Sequence, residues 1–67
     1  MNPERELRNW AQTETGSSNW REYCSFLVSN AETVGSSGPD ALFLRLEIAG
    51  VSQNARFYVM ERLFGGE

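Results

Sequence analysis

A single cysteine, Cys24, and no histidine anywhere in 67 residues leave this chain without an internal disulfide and without the commonest metal ligand. Chains of this size often rely on one of those devices or on a partner, because they bury only about 60% of the surface their unfolded form exposes. Packing must therefore hold the fold unaided, or a second molecule must contribute. At roughly 0.1 kcal/mol per residue, the stability to be expected is on the order of 5 kcal/mol. The length makes residues 1–67 one domain.

Nine acids against six bases give a net charge of −3. Clustered positive charge is what a duplex-binding surface needs, so direct nucleic-acid binding is not the expected role. All six bases are arginine, whose planar, bidentate fork and affinity for aromatic rings suit interfaces better than lysine does. No apolar run approaches the ~18 residues that span a bilayer, and the opening Met1-Asn2-Pro3-Glu4-Arg5-Glu6 is too polar for a signal peptide. One unpaired cysteine fits a reducing compartment, so the expected location is cytoplasmic.

The first element reads as a helix over about 3–14. Asn2 caps it, Pro3 occupies the first turn at no cost in hydrogen bonds, and Leu7, Trp10 and Ala11 share a face. Gly16 is its stop. In the next element Trp20, Tyr23, Cys24, Leu27, Val28, Ala31 and Val34 recur at helical spacing behind an Asn19/Glu22 capping box, which predicts a second helix over about 20–33. Phe26 breaks the stripe, and the aromatic and β-branched content leaves an alternative in which 20–29 is a strand. The helix is preferred because a strand would leave an unusually long loop before residue 41.

Gly35-Ser36-Ser37-Gly38-Pro39-Asp40 reads as a turn. Beyond it Leu42, Leu44, Leu46 and Ile48 alternate with Phe43, Arg45 and Glu47, the period of a half-buried strand over about 41–49. Residues 55–64 alternate again, with Phe57, Val59 and Leu63 on one face and Arg56, Tyr58, Met60 and Arg62 on the other. Glu61 falls at the edge of the apolar face. The expected fold is α+β: two helices and a C-terminal antiparallel β-hairpin, or α-β-β-β if 20–29 is extended. Gly65-Gly66-Glu67 reads as a frayed tail.

No catalytic constellation emerges. Nucleophilic catalysis of the Ser–His or Cys–His kind lacks its base, Cys24 sits on an apolar stripe as a structural thiol, and Glu22 and Glu47 are expected to be solvated. The Gly35–Gly38 segment resembles a phosphate loop only in composition, since it lacks the lysine and precedes the expected strand. No enzyme activity, cofactor or metal is expected.

The outer face of the hairpin is where the sequence concentrates interface chemistry. Phe43, Arg45, Glu47, Arg56, Tyr58, Met60 and Arg62 would meet there, and Tyr, Arg, Met and Phe are the residues enriched in binding surfaces. The leading expectation is a non-enzymatic protein-binding or regulatory protein. One concrete form is a phage- or mobile-element-type inhibitor that blocks a larger host nucleic-acid-processing machine, with Glu4, Glu6, Glu14, Glu22 and Glu32 occupying a basic groove. The alternatives are a structural homo-oligomer or small subunit of an assembly, and weak single-strand nucleic-acid binding through Arg45, Arg56, Arg62, Tyr58 and Phe43.

Overall fold

The computed structural model describes residues 2–65, and every regular element in them is helical: α1 (Pro3–Thr15), α2 (Trp20–Thr33), α3 (Gly38–Ile48) and α4 (Gln53–Phe64). The α+β expectation is thereby corrected to an all-α four-helix domain. Residues 20–29 lie within α2, so the three-strand alternative falls too. Neither 41–49 nor 55–64 is a strand, and no hairpin exists among the described residues. Gly66 and Glu67 of the expected tail lie outside the described residues.

Helices α1 and α2 begin where their caps place them. The Asn2 side chain accepts from the Glu4 and Arg5 amides at 3.0 and 3.4 Å, and Asn19 accepts from the Glu22 amide at 3.2 Å. Gly16 closes α1 at φ 82°, its N–H bonding the Gln12 carbonyl; a side chain at that left-handed φ would be strained.

The hairpin fails because each of its signals has a helical reading that satisfies more of the chain. Ser37 caps α3, accepting from the Asp40 amide at 3.4 Å, with Pro39 in the first turn. What reads as a β-turn residue set is thus a helix start. The alternating set 42, 44, 46, 48 contains the i,i+4 pair Leu42 and Leu46, and only that pair is buried; Leu44 and Ile48 are 55% and 74% exposed. Three of the four alternating residues are leucines, a strong helix former, and their neighbours Ala41, Arg45 and Glu47 favour helix or tolerate it. In α4 the buried stripe is Ala55 and Val59 with Leu63 half-buried one turn on, a 3.6 period that leaves Glu61 in solvent. A strand period puts Glu61 at the edge of the apolar face, whereas the helical period puts it in solvent.

The segment between α3 and α4 is a helix stop followed at once by a helix start. The Gly50 N–H bonds the Glu47 carbonyl and the Val51 N–H bonds the Leu46 carbonyl, both at 3.1 Å, the paired bonds of a Schellman motif. Val51 is itself buried, and Ser52 caps α4 by accepting from the Ala55 amide at 3.2 Å. Each connection is four residues long, so consecutive helices pack side by side. Helix α2 packs most extensively on α3, and α4 closes the ring by returning onto α1. The core is Leu7, Trp10, Ala11, Trp20, Cys24, Leu42, Leu46, Val51, Ala55 and Val59, drawn from all four helices and the last turn.

Candidate protein-interaction surface

The seven residues expected to share one outer face do not. With 100° of rotation per residue, a helix separates positions that a strand would align, and the structure disperses them into three clusters. Arg45 points toward α1 and α2, where its Nη2 donates to the Tyr23 hydroxyl at 3.3 Å and lies 3.8 Å from Glu14. Arg56 stacks over Phe43, 5.4 Å from the ring centroid, and donates to the Val51 carbonyl at 2.7 Å. Arg62 lies over Tyr58 at 4.8 Å, and Tyr58 in turn faces Trp20 with ring centroids 6.0 Å apart. Met60 is half-buried and Glu47 is exposed without an ion pair among the described residues. These seven residues therefore do not form a single common face. The three arginines that were to form a stacking platform sit in separate clusters.

Three of the acids expected to enter a partner's basic groove are occupied within the fold. Glu4 accepts from Trp20 Nε1 at 2.9 Å and from the Tyr58 hydroxyl at 2.8 Å, joining α1 to α2 and α4. Those two bonds, with a smaller contribution from Arg8 at 3.7 Å, hold its carboxyl below the usual carboxylate range. Glu6 accepts from both the amide and the hydroxyl of Ser52, at 2.8 and 2.7 Å, and so pins the N-terminus of α4 onto α1. Glu14 accepts from the Tyr23 hydroxyl at 3.2 Å; partial burial raises the Tyr23 phenol, with Arg45 opposing and Glu14 adding to the rise. Glu22 is held by Asn19 within the α2 capping box. Only Glu32 of the five has a carboxylate with no hydrogen bond or ion pair among the described residues.

What the fold exposes instead is a groove between α2 and α3. It is an open hollow of about 320 Å³ lined by Leu27, Asn30, Ala31, Val34, Ala41, Leu44, Arg45 and Ile48. Val34, Leu44 and Ile48 are 77%, 55% and 74% exposed along it, so its walls offer apolar side chains to solvent rather than to the core. The polar residues of the lining are Asn30 and Arg45, and the charge of Arg45 is already countered by Glu14. The sequence reading placed Leu44 and Ile48 inward beside Leu42 and Leu46. Two residues along a helix is a 200° rotation, which turns Leu44 to the opposite side from Leu42. Phe26 and Phe64 border other hollows, where apolar and polar residues mix more evenly.

The remaining candidates stay structural. Cys24 is fully buried, and desolvation pushes its thiol up to about 12, the opposite of an activated nucleophile. Gly35–Gly38 precedes a helix, not the expected strand, but the opening turn of α3 is packed against α2. A Cβ at Gly38 would lie 2.5 Å from Val28 Cγ1 and 2.9 Å from the Glu32 carboxylate, and an acid at that place repels an anion.

Fold and surface together define a small four-helix domain in which Glu4, Glu6, Glu14 and Arg45 tie helices to one another and in which Val34, Leu44 and Ile48 are exposed around one interhelical groove, with Phe26, Phe57 and Phe64 exposed elsewhere. Compared with protein-family models, curated proteins and solved structures, the chain matches none.

Proposed function

We propose that this chain is a non-enzymatic binding protein that acts as an inhibitor or adaptor by occupying the surface of a larger protein, and that its contact surface is the α2–α3 groove. The observation that carries the reading is the exposure of Val34, Leu44 and Ile48 around a hollow floored by Leu27, Ala31 and Ala41. Monomers rarely leave contiguous apolar patches open without a use, and a chain of this size has little hydrophobic surface to spare. Among the described residues no helix is long and apolar enough to cross a membrane, and a free buried thiol suits the reducing cytoplasm. A phage-type blocker of a host nucleic-acid enzyme is one concrete form of this reading. In that form the acids that meet a basic surface are Asp40 and Glu47, exposed on α3 next to lining residues of the groove, since Glu4, Glu6 and Glu14 are engaged internally.

The test is affinity capture from lysates of source and host cells, comparing the wild type with a Leu44→Asp/Ile48→Asp variant. Circular dichroism checks that the variant keeps its helices, and Phe57→Asp on α4 serves as a control for nonspecific apolar capture. A partner held by the wild type and by Phe57→Asp, and lost by the groove variant, supports the reading. A partner retained by the groove variant refutes the surface.

A further inference from the structure

The choice of occupant rests on two exposed carboxylates of α3 that neighbour the groove's lining without belonging to it; the charged residue of the lining itself is Arg45, which is paired with Glu14. On α3, Asp40, Leu44 and Ile48 succeed one another at i,i+4 spacing, and Glu47 stands three residues beyond Leu44; side chains so placed share one helix surface. Asp40 and Glu47 are both exposed, and neither forms an ion pair among the described residues. The apolar pair Leu44 and Ile48 thus has two uncompensated carboxylates beside it, both on the same side of α3. Asp40 has a local role in the first turn of α3, where a negative charge favours the helix dipole. Glu47 has none. It lies in the last turn, where the dipole disfavours an acid, and its carboxylate has no hydrogen bond or ion pair among the described residues.

We propose that the α2–α3 groove takes an amphipathic helix of another protein, its apolar stripe seated on Val34, Leu44 and Ile48 and its flanking lysines or arginines facing Asp40 and Glu47. This rests on the α2–α3 groove being the contact surface and adds the chemistry of what enters it. The length fits, since the 11 residues of α3 span about 16 Å, or three turns of a docked helix. The mode is the helix-in-groove arrangement, in which apolar anchors at i, i+3 or i+4, and i+7 supply affinity and rim charges supply orientation. A second copy of this chain is the poorer occupant. Each copy carries −3, and self-docking on this face brings Asp40 and Glu47 against an acidic molecule.

The test uses two synthetic helical peptides with the same leucine stripe, one flanked by lysine and arginine, the other by glutamate, each labelled and titrated with the full chain by fluorescence anisotropy. Sedimentation of the protein alone runs alongside. The expected result is that the basic peptide binds, that binding weakens as salt rises, and that the glutamate peptide binds less tightly or not at all. Asp40→Asn/Glu47→Gln should weaken the basic peptide about three- to tenfold, and Leu44→Asp should abolish it. Glu47→Gln alone should leave the fold intact, because the charge it removes stabilises nothing. Equal binding of both peptides overturns the charge assignment and leaves the groove as a docking surface. Binding of neither, while the lysate partner still depends on Leu44 and Ile48, overturns the helical occupant. A concentration-dependent dimer lost in Leu44→Asp identifies a second copy as the occupant and overturns the proposal.

Discussion

Leu44 and Leu46 are two residues apart, and the fold gives them opposite fates. Leu46 is fully buried in the core, whereas Leu44 is 55% exposed on the groove. Truncating each to alanine therefore measures the period of the segment directly. Alanine is at least as good a helix former as leucine, so backbone propensity contributes almost nothing to either change. For Leu46→Ala the lost transfer energy and the cavity left in the core should cost about 3 kcal/mol, within the range for buried leucines. A domain of this length has on the order of 5 kcal/mol to lose, so Leu46→Ala should retain only a small margin. Its melting midpoint should fall by about 12–24 °C, at 4–8 °C per kcal/mol for a small domain. Leu44→Ala removes a side chain that solvent already reaches and leaves no closed cavity. Its cost should stay below about 1 kcal/mol. The assay is urea unfolding followed by far-ultraviolet circular dichroism, with the denaturant slope checked for constancy so that midpoints report stability alone. Equal losses for the two variants would refute the argument, because that is the outcome of a strand face burying Leu42, Leu44, Leu46 and Ile48 together.

Other perturbations reach separate parts of the fold. Glu4 has a folded-state pKa below its unfolded one, chiefly through its bonds from Trp20 and Tyr58, so the stability it contributes is present above the unfolded pKa and is lost as pH falls through the folded pKa. Glu4→Gln should flatten the acid limb of the stability profile, and an unchanged limb in that variant would show that the two bonds do not distinguish the protonation states. Cys24, buried and raised to about 12, should resist a thiol-specific disulfide reagent in the native protein and react at once in urea; rapid native labelling would place the thiol outside the core. Gly38→Ala would set a Cβ 2.5 Å from Val28 Cγ1 and 3.0 Å from the Val28 carbonyl oxygen. That overpacking between α2 and α3 should cost about 1–3 kcal/mol, even though alanine is the better helix former, and a stabilised variant would mean that the two helices separate freely there.

The first half of the fold was legible because its local signals agree. In α1 and α2 the caps Asn2 and Asn19, the first-turn Pro3, the stop at Gly16 and the spacing of Leu7, Trp10, Ala11, Trp20 and Cys24 all favour helix, and no strand pattern competes strongly. Size, charge and the lone thiol were equally plain. In the second half one set of residues serves two periods. Leu42 and Leu46 belong both to an alternating strand and to a helix stripe, as do Val59 and Leu63. Likewise Ser37-Gly38-Pro39-Asp40 and Gly50-Val51-Ser52 carry the residues of β-turns and of helix caps alike. Ala55, Glu61 and the leucine-rich make-up of 41–47 were the sequence clues that favoured helix.

The interaction surface was out of reach of periodicity alone. Exchanging a 180° repeat for a 100° one turns Leu44 and Ile48 outward, scatters Arg45, Tyr58 and Arg62, and reassigns Glu4, Glu6 and Glu14 from the surface to the seams between helices. By itself the sequence determined that one small acidic domain must hold together by packing, and where its first two helices begin and end, because those depend on neighbours within a turn. Only the tertiary structure decided which of two compatible periods residues 38–64 adopt. A lone hairpin leaves sheet edges unpaired and is marginal in water, whereas two more helices satisfy their own backbones and bury Leu42, Leu46, Ala55 and Val59 against α1 and α2.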